Sequence, residues 1–204
     1  MARNKLEIPE DGIDREDLLE ELNGEMKKND IDPYSGKAFG LSYLVDEEHT
    51  EFLKKAFNAF FIQNALNPMA NPSLQRMETE VVAMAAWMLN GTRKTTGTMT
   101  SGGTESILMS VKSHRDWAKK EKDIDHPEMI LPVTAHPAFE KAAHYFNVKP
   151  VHVPLRDDFR VDVEEVKNAI NDDTILIMGS APCYPYGVID PIEDLAALAK
   201  EKGI

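Results

Sequence analysis

Apolar residues fall into two regimes along this chain. In residues 1–95 they recur every three or four positions, which predicts helices. Asp14 precedes a face made of Leu18, Leu19, Leu22 and Met26, so a short capped helix is expected there. Asn29 to Gly40 is rich in turn residues and reads as a loop. A second helix is expected from about Asp46, with Phe52, Leu53, Ala56, Phe57, Phe60 and Phe61 in a dense aromatic stripe. Such a stripe fits a core or a subunit contact far better than a ligand site. The Asn and Pro residues of 64–72 interrupt the pattern. A third helix then starts with Asn71 as cap and Pro72 at its first position. Leu74, Met77, Val81, Met84 and Met88 predict one buried face on it.

From about residue 97 the texture changes to short apolar runs alternating with amphipathic stretches. Strands are expected at Thr98–Thr100, Met129–Val133, Pro150–Val153 and Thr174–Met178. Helices are expected at Ser106–Lys120, with Ile107, Leu108, Val111 and Trp117 inside, and at Pro137–Tyr145. Another begins after Asp162, which pairs with Glu165 in a capping-box-like spacing. A last one follows Asp190-Pro191, where Asp190 reads as the cap. Alternation of this kind predicts an α/β domain with a mainly parallel sheet covered on both faces. The expected organisation is a helical arm and dimer-contact region over 1–95, and the first part of an α/β domain over 96–204. Gly203 reads as a helix stop and Ile204 as the start of a further strand, so an incomplete chain is expected.

Composition removes several functions. A net charge of −12 argues against a nucleic-acid partner, whose phosphates attract a basic face. The single cysteine, Cys183, cannot build a disulfide framework within one chain. No stretch approaches the length of a membrane span, and Met1–Pro9 has no apolar signal core. A cytoplasmic protein without a membrane span is expected.

Three segments carry candidate chemistry, each expected just after a strand. Thr100-Ser101-Gly102-Gly103-Thr104-Glu105-Ser106 opens a helix with two glycines and several hydroxyls. Unpaired N–H groups and the helix dipole favour an anion there. It lacks the Gly-Lys-Ser/Thr of a nucleotide P-loop and the spacing of a dinucleotide turn. Taken alone, the pattern fits a plain cap better than a phosphate pocket. His136, in Thr134-Ala135-His136-Pro137, offers a ring for stacking or an ordinary helix cap. Gly179-Ser180-Ala181-Pro182 offers a small floor or a plain turn. Ligands gather at the carboxyl edge of parallel strands. Phosphate cup, stacking ring and small floor at one edge together suit pyridoxal phosphate, a cofactor the protein anchors and orients.

The chain resembles the pyridoxal-phosphate-dependent decarboxylase family, group II of fold-type I, and most closely its sphingosine-1-phosphate lyase branch. The resemblance rests on Thr100–Met109, His136–Ala142, Gly179–Pro182 with Gly187–Ile192, and Pro72–Val82. It implies a homodimeric carbon–carbon lyase with its site at the dimer interface. It implies Ser101, Gly102, Gly103 and Thr104 around the cofactor phosphate, and His136 stacked on the ring as a catalytic residue. Ser180 and Ala181 would lie close to the ring. Tyr43 would reach a neighbouring subunit's site, and Asn64 would contact a small, phosphorylated amine substrate.

Three positions depart from that branch. Leu41-Ser42 replaces the usual Ser-Gly before Tyr43, Asn67 stands where a histidine is usual, and Tyr186 stands where the family often has histidine. Asparagine cannot shuttle a proton near neutral pH, so that role is lost or moved. The family's aspartate on the ring nitrogen and the lysine that carries the cofactor fall beyond Ile204. Lys94, Lys112, Lys141 and Lys149 all precede the expected place. Two other readings stay open: an amino-acid decarboxylase, and an inert fragment or weak cofactor-binding module.

Overall fold

The computed structural model describes residues 10–37, 40 and 43–204. Met1–Pro9 and Leu41-Ser42, used above, lie outside the described residues. The chain divides into two compact units, Met1–Met77 and Glu78–Ile204.

The first unit is helical, and its helices are set by local signals. Helix α1 spans Arg15–Asn29, and the Asp14 carboxylate accepts from the N–H groups of Glu16 and Asp17 at its start. Pro33–Ser35 forms one 3-10 turn, capped by Asp32. Helix α2 spans Glu47–Ala59 and is capped by Asp46 through the His49 N–H. Tyr34 and Thr50 join the turn to α2 by a hydroxyl hydrogen bond of 2.8 Å. Helix α3, Pro72–Met88, begins in this unit and continues into the second. The face expected on α3 is only partly covered: Leu74 and Met77 are half-buried, Val81, Met84 and Met88 are exposed, and no residue of α3 is fully buried. The aromatic stripe of α2 is exposed as well, with Phe57 at 66% and Phe61 at 70%. Periodicity reports which side of a helix is apolar; only a packing partner buries it.

The second unit is the α/β domain. Its elements are α4 (Gly103–Lys122), β1 (Glu128–Pro132), α5 (Ala138–Phe146), β2 (Lys149–Val153), α6 (Val163–Ala169), β3 (Thr174–Ile177) and α7 (Ile192–Lys202). The sheet order is β2-β1-β3, all parallel, with Ile130 opposite Val151 on one side and Ile177 on the other. The strand expected at Thr98–Thr100 does not form: residues 95–100 are irregular and pair with no strand of this sheet. Their hydroxyls bond locally instead; Thr100 Oγ1 reaches Ser106 Oγ at 2.6 Å and Gly102 O at 3.2 Å.

Central strand β1 is buried throughout and feeds two cores. Successive side chains alternate faces. Met129 and Leu131 pack with Val111, Ala118, Ala142, Ala143 and Ile175, beneath α4 and α5. Ile130 packs with Val153, Val161, Val166, Leu195 and Leu198, beneath α6 and α7. Trp117, expected inside, is 45% exposed with the Lys122 ammonium over its ring, because Ala118 takes the inward position one heptad after Val111.

Candidate functional site

The connections define a crevice. After β1 the chain turns into α5 on one face, and after adjacent β3 it turns into α7 on the opposite face. Neighbouring strands whose continuations leave to opposite sides open a cleft at their carboxyl ends. His136 lies on the first of these continuations and Ser180-Ala181 on the second. Helix α4 runs into β1 through a short link, hence antiparallel to it. Its 20 residues span about 30 Å, against about 17 Å for a five-residue strand. Its N-terminus therefore lies toward the same edge.

That N-terminus differs from the expected one. The helix starts at Gly103 rather than Ser106, so Gly103, Thr104 and Glu105 form its first turn. The early start has a local cause. Glu105 Oε2 accepts from the Ser101 N–H at 2.6 Å and the Ser101 hydroxyl at 2.7 Å, while Ser106 N–H bonds Gly102 O at 3.1 Å. The hydroxyl and N–H of Ser101 hold the Glu105 carboxyl below its ordinary value. Ser101 is thus committed to Glu105, and Gly102, as N-cap, supplies no side-chain bond. The first-turn N–H groups have no partner within the helix. A Cβ placed on Gly102 or Gly103 would meet nothing within 4 Å. Gly102 is extended (φ 162°, ψ 176°), a conformation open to any residue, so its backbone does not demand glycine.

His136 is exposed, and its Nδ1 accepts the Ala138 N–H at 3.1 Å. That bond caps α5 and leaves Nε2 to carry the proton of the neutral ring. Just before it, Thr134 Oγ1 is buried with no hydrogen-bond partner.

The third segment is the most constrained. A Cβ on Gly179 would lie 2.7 Å from Leu195 Cδ1 and 2.9 Å from Ile192 Cδ1. Close packing on α7 therefore accounts for that glycine, where the sequence suggested room for a ligand. Ser180 is half-buried and Ala181 exposed. Asp190, expected to cap α7, does not: the N-cap is Pro191, without a side-chain bond. Buried Asp190 instead accepts from the Ser180 N–H at 2.7 Å and the Val161 N–H at 2.9 Å. Asp before Pro suggested a cap; no local signal marked its two remote partners.

In the first unit, Tyr43 is 90% exposed. Asn64 Oδ1 accepts the Leu66 N–H at 3.1 Å, and Asn67 Oδ1 the Met69 N–H at 2.9 Å. Both asparagines thus shape their own loop. Among the described residues no His, Cys, Asp and Glu group is arranged for a metal. No described helix is long and apolar enough to cross a membrane.

A parallel sheet with this cleft and this glycine-rich helix start is the layout of fold-type I α/β domains. Within that class the chain belongs to the aminotransferase class-V family, which it matches over residues 55–204. It is 42% identical over 198 residues to sphingosine-1-phosphate lyase of Dictyostelium discoideum, across 97% of this chain and 37% of that protein. The solved sphingosine-1-phosphate lyase of Burkholderia pseudomallei superposes with a TM-score of 0.89 at 41% identity, over 97% of this chain and 47% of that one. A Pyrococcus furiosus protein named "Probable L-aspartate decarboxylase" is 34% identical over 199 residues, 98% of this chain and 51% of that protein. The chain thus spans between 37% and 51% of the length of these three relatives.

Proposed function

We propose that this chain supplies the phosphate cup and one wall of a pyridoxal 5'-phosphate site in a carbon–carbon lyase acting on a small, phosphorylated amine. The observation that carries the reading is the α4 N-terminus: open space over Gly102 and Gly103, with unpaired first-turn N–H groups. The fit has two parts. A phosphate needs several donors converging on a space that no side chain fills, and the first turn of α4 has that form. The buried, partnerless hydroxyl of Thr134, on the turn leading to His136, is an unmet polar group beside the same cleft.

When bound, the cofactor supplies an electron sink for a bond breaking next to the amine carbon. The residues of this chain hold and orient it. Gly103 and Thr104 take the phosphate by main-chain N–H and the Thr104 hydroxyl, with Gly102 leaving room for it. Ser101 contributes through Glu105, which fixes the turn. His136, held by its Nδ1 bond, presents a ring face. Ser180 and Ala181 form the floor opposite. The family resemblance gives Tyr43 a role at the partner's site in a homodimer and Asn64 a contact with substrate.

A second reading, amino-acid decarboxylation, is favoured by the identity to the P. furiosus protein. Either reading requires the cup, which Gly102→Val tests. A Cβ there meets nothing within 4 Å and the extended backbone suits any residue, so folding is expected to stay unchanged, while pyridoxamine 5'-phosphate binding, followed by its fluorescence, is lost. Undiminished binding by the variant, or none by the parent chain, sinks the cofactor reading. Supplying a full-length version with a long-chain amine phosphate and with L-aspartate then separates aldehyde release from loss of carbon dioxide.

A further inference from the structure

We propose that Asp190 is a positioning residue of the cofactor site: its buried carboxylate fixes the Ser180-Ala181 floor and locks it to the 154–161 loop. The inference rests on the reading of Ser180-Ala181 as part of that site.

Asp190 is only 2% exposed, and both carboxylate oxygens are spent on main chain. Oδ2 accepts from Ser180 and Oδ1 from Val161, which is itself fully buried. The Asp190 N–H returns a bond to Ser180 O at 2.9 Å, so residues 180 and 190 are joined in both directions. Ile192 N–H bonds Asp190 O at 2.7 Å and carries the tie into α7. On the other side, a Cβ on Gly179 would run into the ends of Leu195 and Ile192, so the strand exit lies close against α7. Residue 180 is thus tied on both its N–H and its C=O, and Ala181 follows directly from that tie.

Val161 belongs to a different connection, the hairpin-like loop after β2 in which Leu155 pairs with Val161. That loop and the 178–190 segment meet a second time. Phe159 and Tyr186 stack with ring centroids 4.4 Å apart at 15°. The two loops are thus joined by Asp190 inside and by an aromatic pair outside, and they form one wall.

The chemistry requires a carboxylate. An asparagine has one acceptor oxygen and would turn an amide N–H toward the second donor, exchanging a hydrogen bond for two facing donors. Asp190→Asn therefore frees one loop while keeping side-chain volume.

The test compares Asp190→Asn with Leu198→Ala, a core change in the apolar cluster that holds Val161, under conditions where both are folded to the same extent. Pyridoxamine 5'-phosphate is the probe; it cannot condense with surface lysines. Binding is followed by the circular dichroism of the bound ring, which reports its orientation. Amide exchange at Ser180 and Val161 is followed without ligand. Asp190→Asn is expected to bind about tenfold more weakly or worse, to alter the ring's dichroism and to lose protection at both amides. Leu198→Ala keeps all three. Asp190→Glu, which holds both acceptors one methylene further out, keeps binding but shifts the dichroism, and it replaces the asparagine variant if that does not fold. Parental affinity and dichroism in the Asp190 variants, or equal losses in Leu198→Ala, overturn the proposal. If the parent chain binds no probe, the cofactor reading fails on its own. Exchange then decides the tie: joint loss at the two amides in Asp190→Asn alone supports it, and unchanged protection removes it.

Discussion

The two units use the same helical alphabet to opposite ends. Helices α1 and α2 of the first unit contain no buried residue. Helices α4 to α7 each bury at least one, against a strand buried at every position. Capping is as good in the first unit as in the second: Asp14 and Asp46 hold their helices as Asp162 holds α6. Local hydrogen bonds therefore set where a helix begins, and a packing partner decides whether its apolar face is covered. The second unit carries its partners in its own sheet. The first unit leaves Phe57, Phe61 and Ile62 exposed.

The widest separation between the units should appear on truncating apolar residues. Ile130→Ala, in β1, is expected to cost about 2–5 kcal/mol, whereas Phe57→Ala should change stability by about 0.5 kcal/mol or less. Urea unfolding of both variants measures this, and similar midpoints would erase the distinction drawn here. Next in size is the binding contrast. Thr104→Val should weaken pyridoxamine 5'-phosphate binding roughly tenfold by deleting one donor to a charged group, while Asn64→Ala leaves it unaltered in a direct titration.

A smaller effect concerns acid. Hydrogen bonds from Lys149 and Asn171 hold the Glu128 carboxyl below its ordinary 4.5, against the opposing pull of burial. A depressed folded value adds stability above the unfolded pKa, and that stability fades as pH falls through the folded one. Unfolding measured from pH 6 downward should therefore steepen below about pH 4.5. Glu128→Gln should flatten that limb, and an identical acid profile would discard the role. Least of all, Glu105→Gln should raise affinity for inorganic phosphate a few fold at low salt by removing a like charge beside the cup. Isothermal titration at two salt concentrations checks it, since screening should shrink the gain.

Much of this was readable from residues. Strands β1, β2 and β3 fall within a residue of the runs expected for them; β1 and β3 carry the continuous apolar run that a buried parallel strand needs, while edge strand β2 is largely uncovered. Asp14 and Asp162 act where a capping carboxylate was expected, and Asp46, read only as the approximate start of a helix, caps it. The failures share one cause. Thr98–Thr100 has strand-like residues but pairs with no strand of the described sheet, and Val81 and Met84 have helical periodicity yet stay exposed. Gly179 looked like an opening for a ligand and is a contact with α7. The partners of Asp190 lie 10 and 29 residues away, and only folding brings them together. His136 and Ser180-Ala181 were legible at the cleft because both follow strands. What holds Ser180 there was not.

The Asp190 tie has a consequence for how this wall tolerates change. Both acceptor oxygens grip peptide N–H groups, which every residue but proline possesses. Apart from Phe159 and Tyr186, which stack, and Gly187 at φ 65°, the side chains of 155–160 and 184–189 can therefore be rewritten without touching the Asp190 tie itself. Libraries randomised at those remaining positions, with Asp190, Val161 and Gly179 kept, measure how far one buried carboxylate carries the register of this wall.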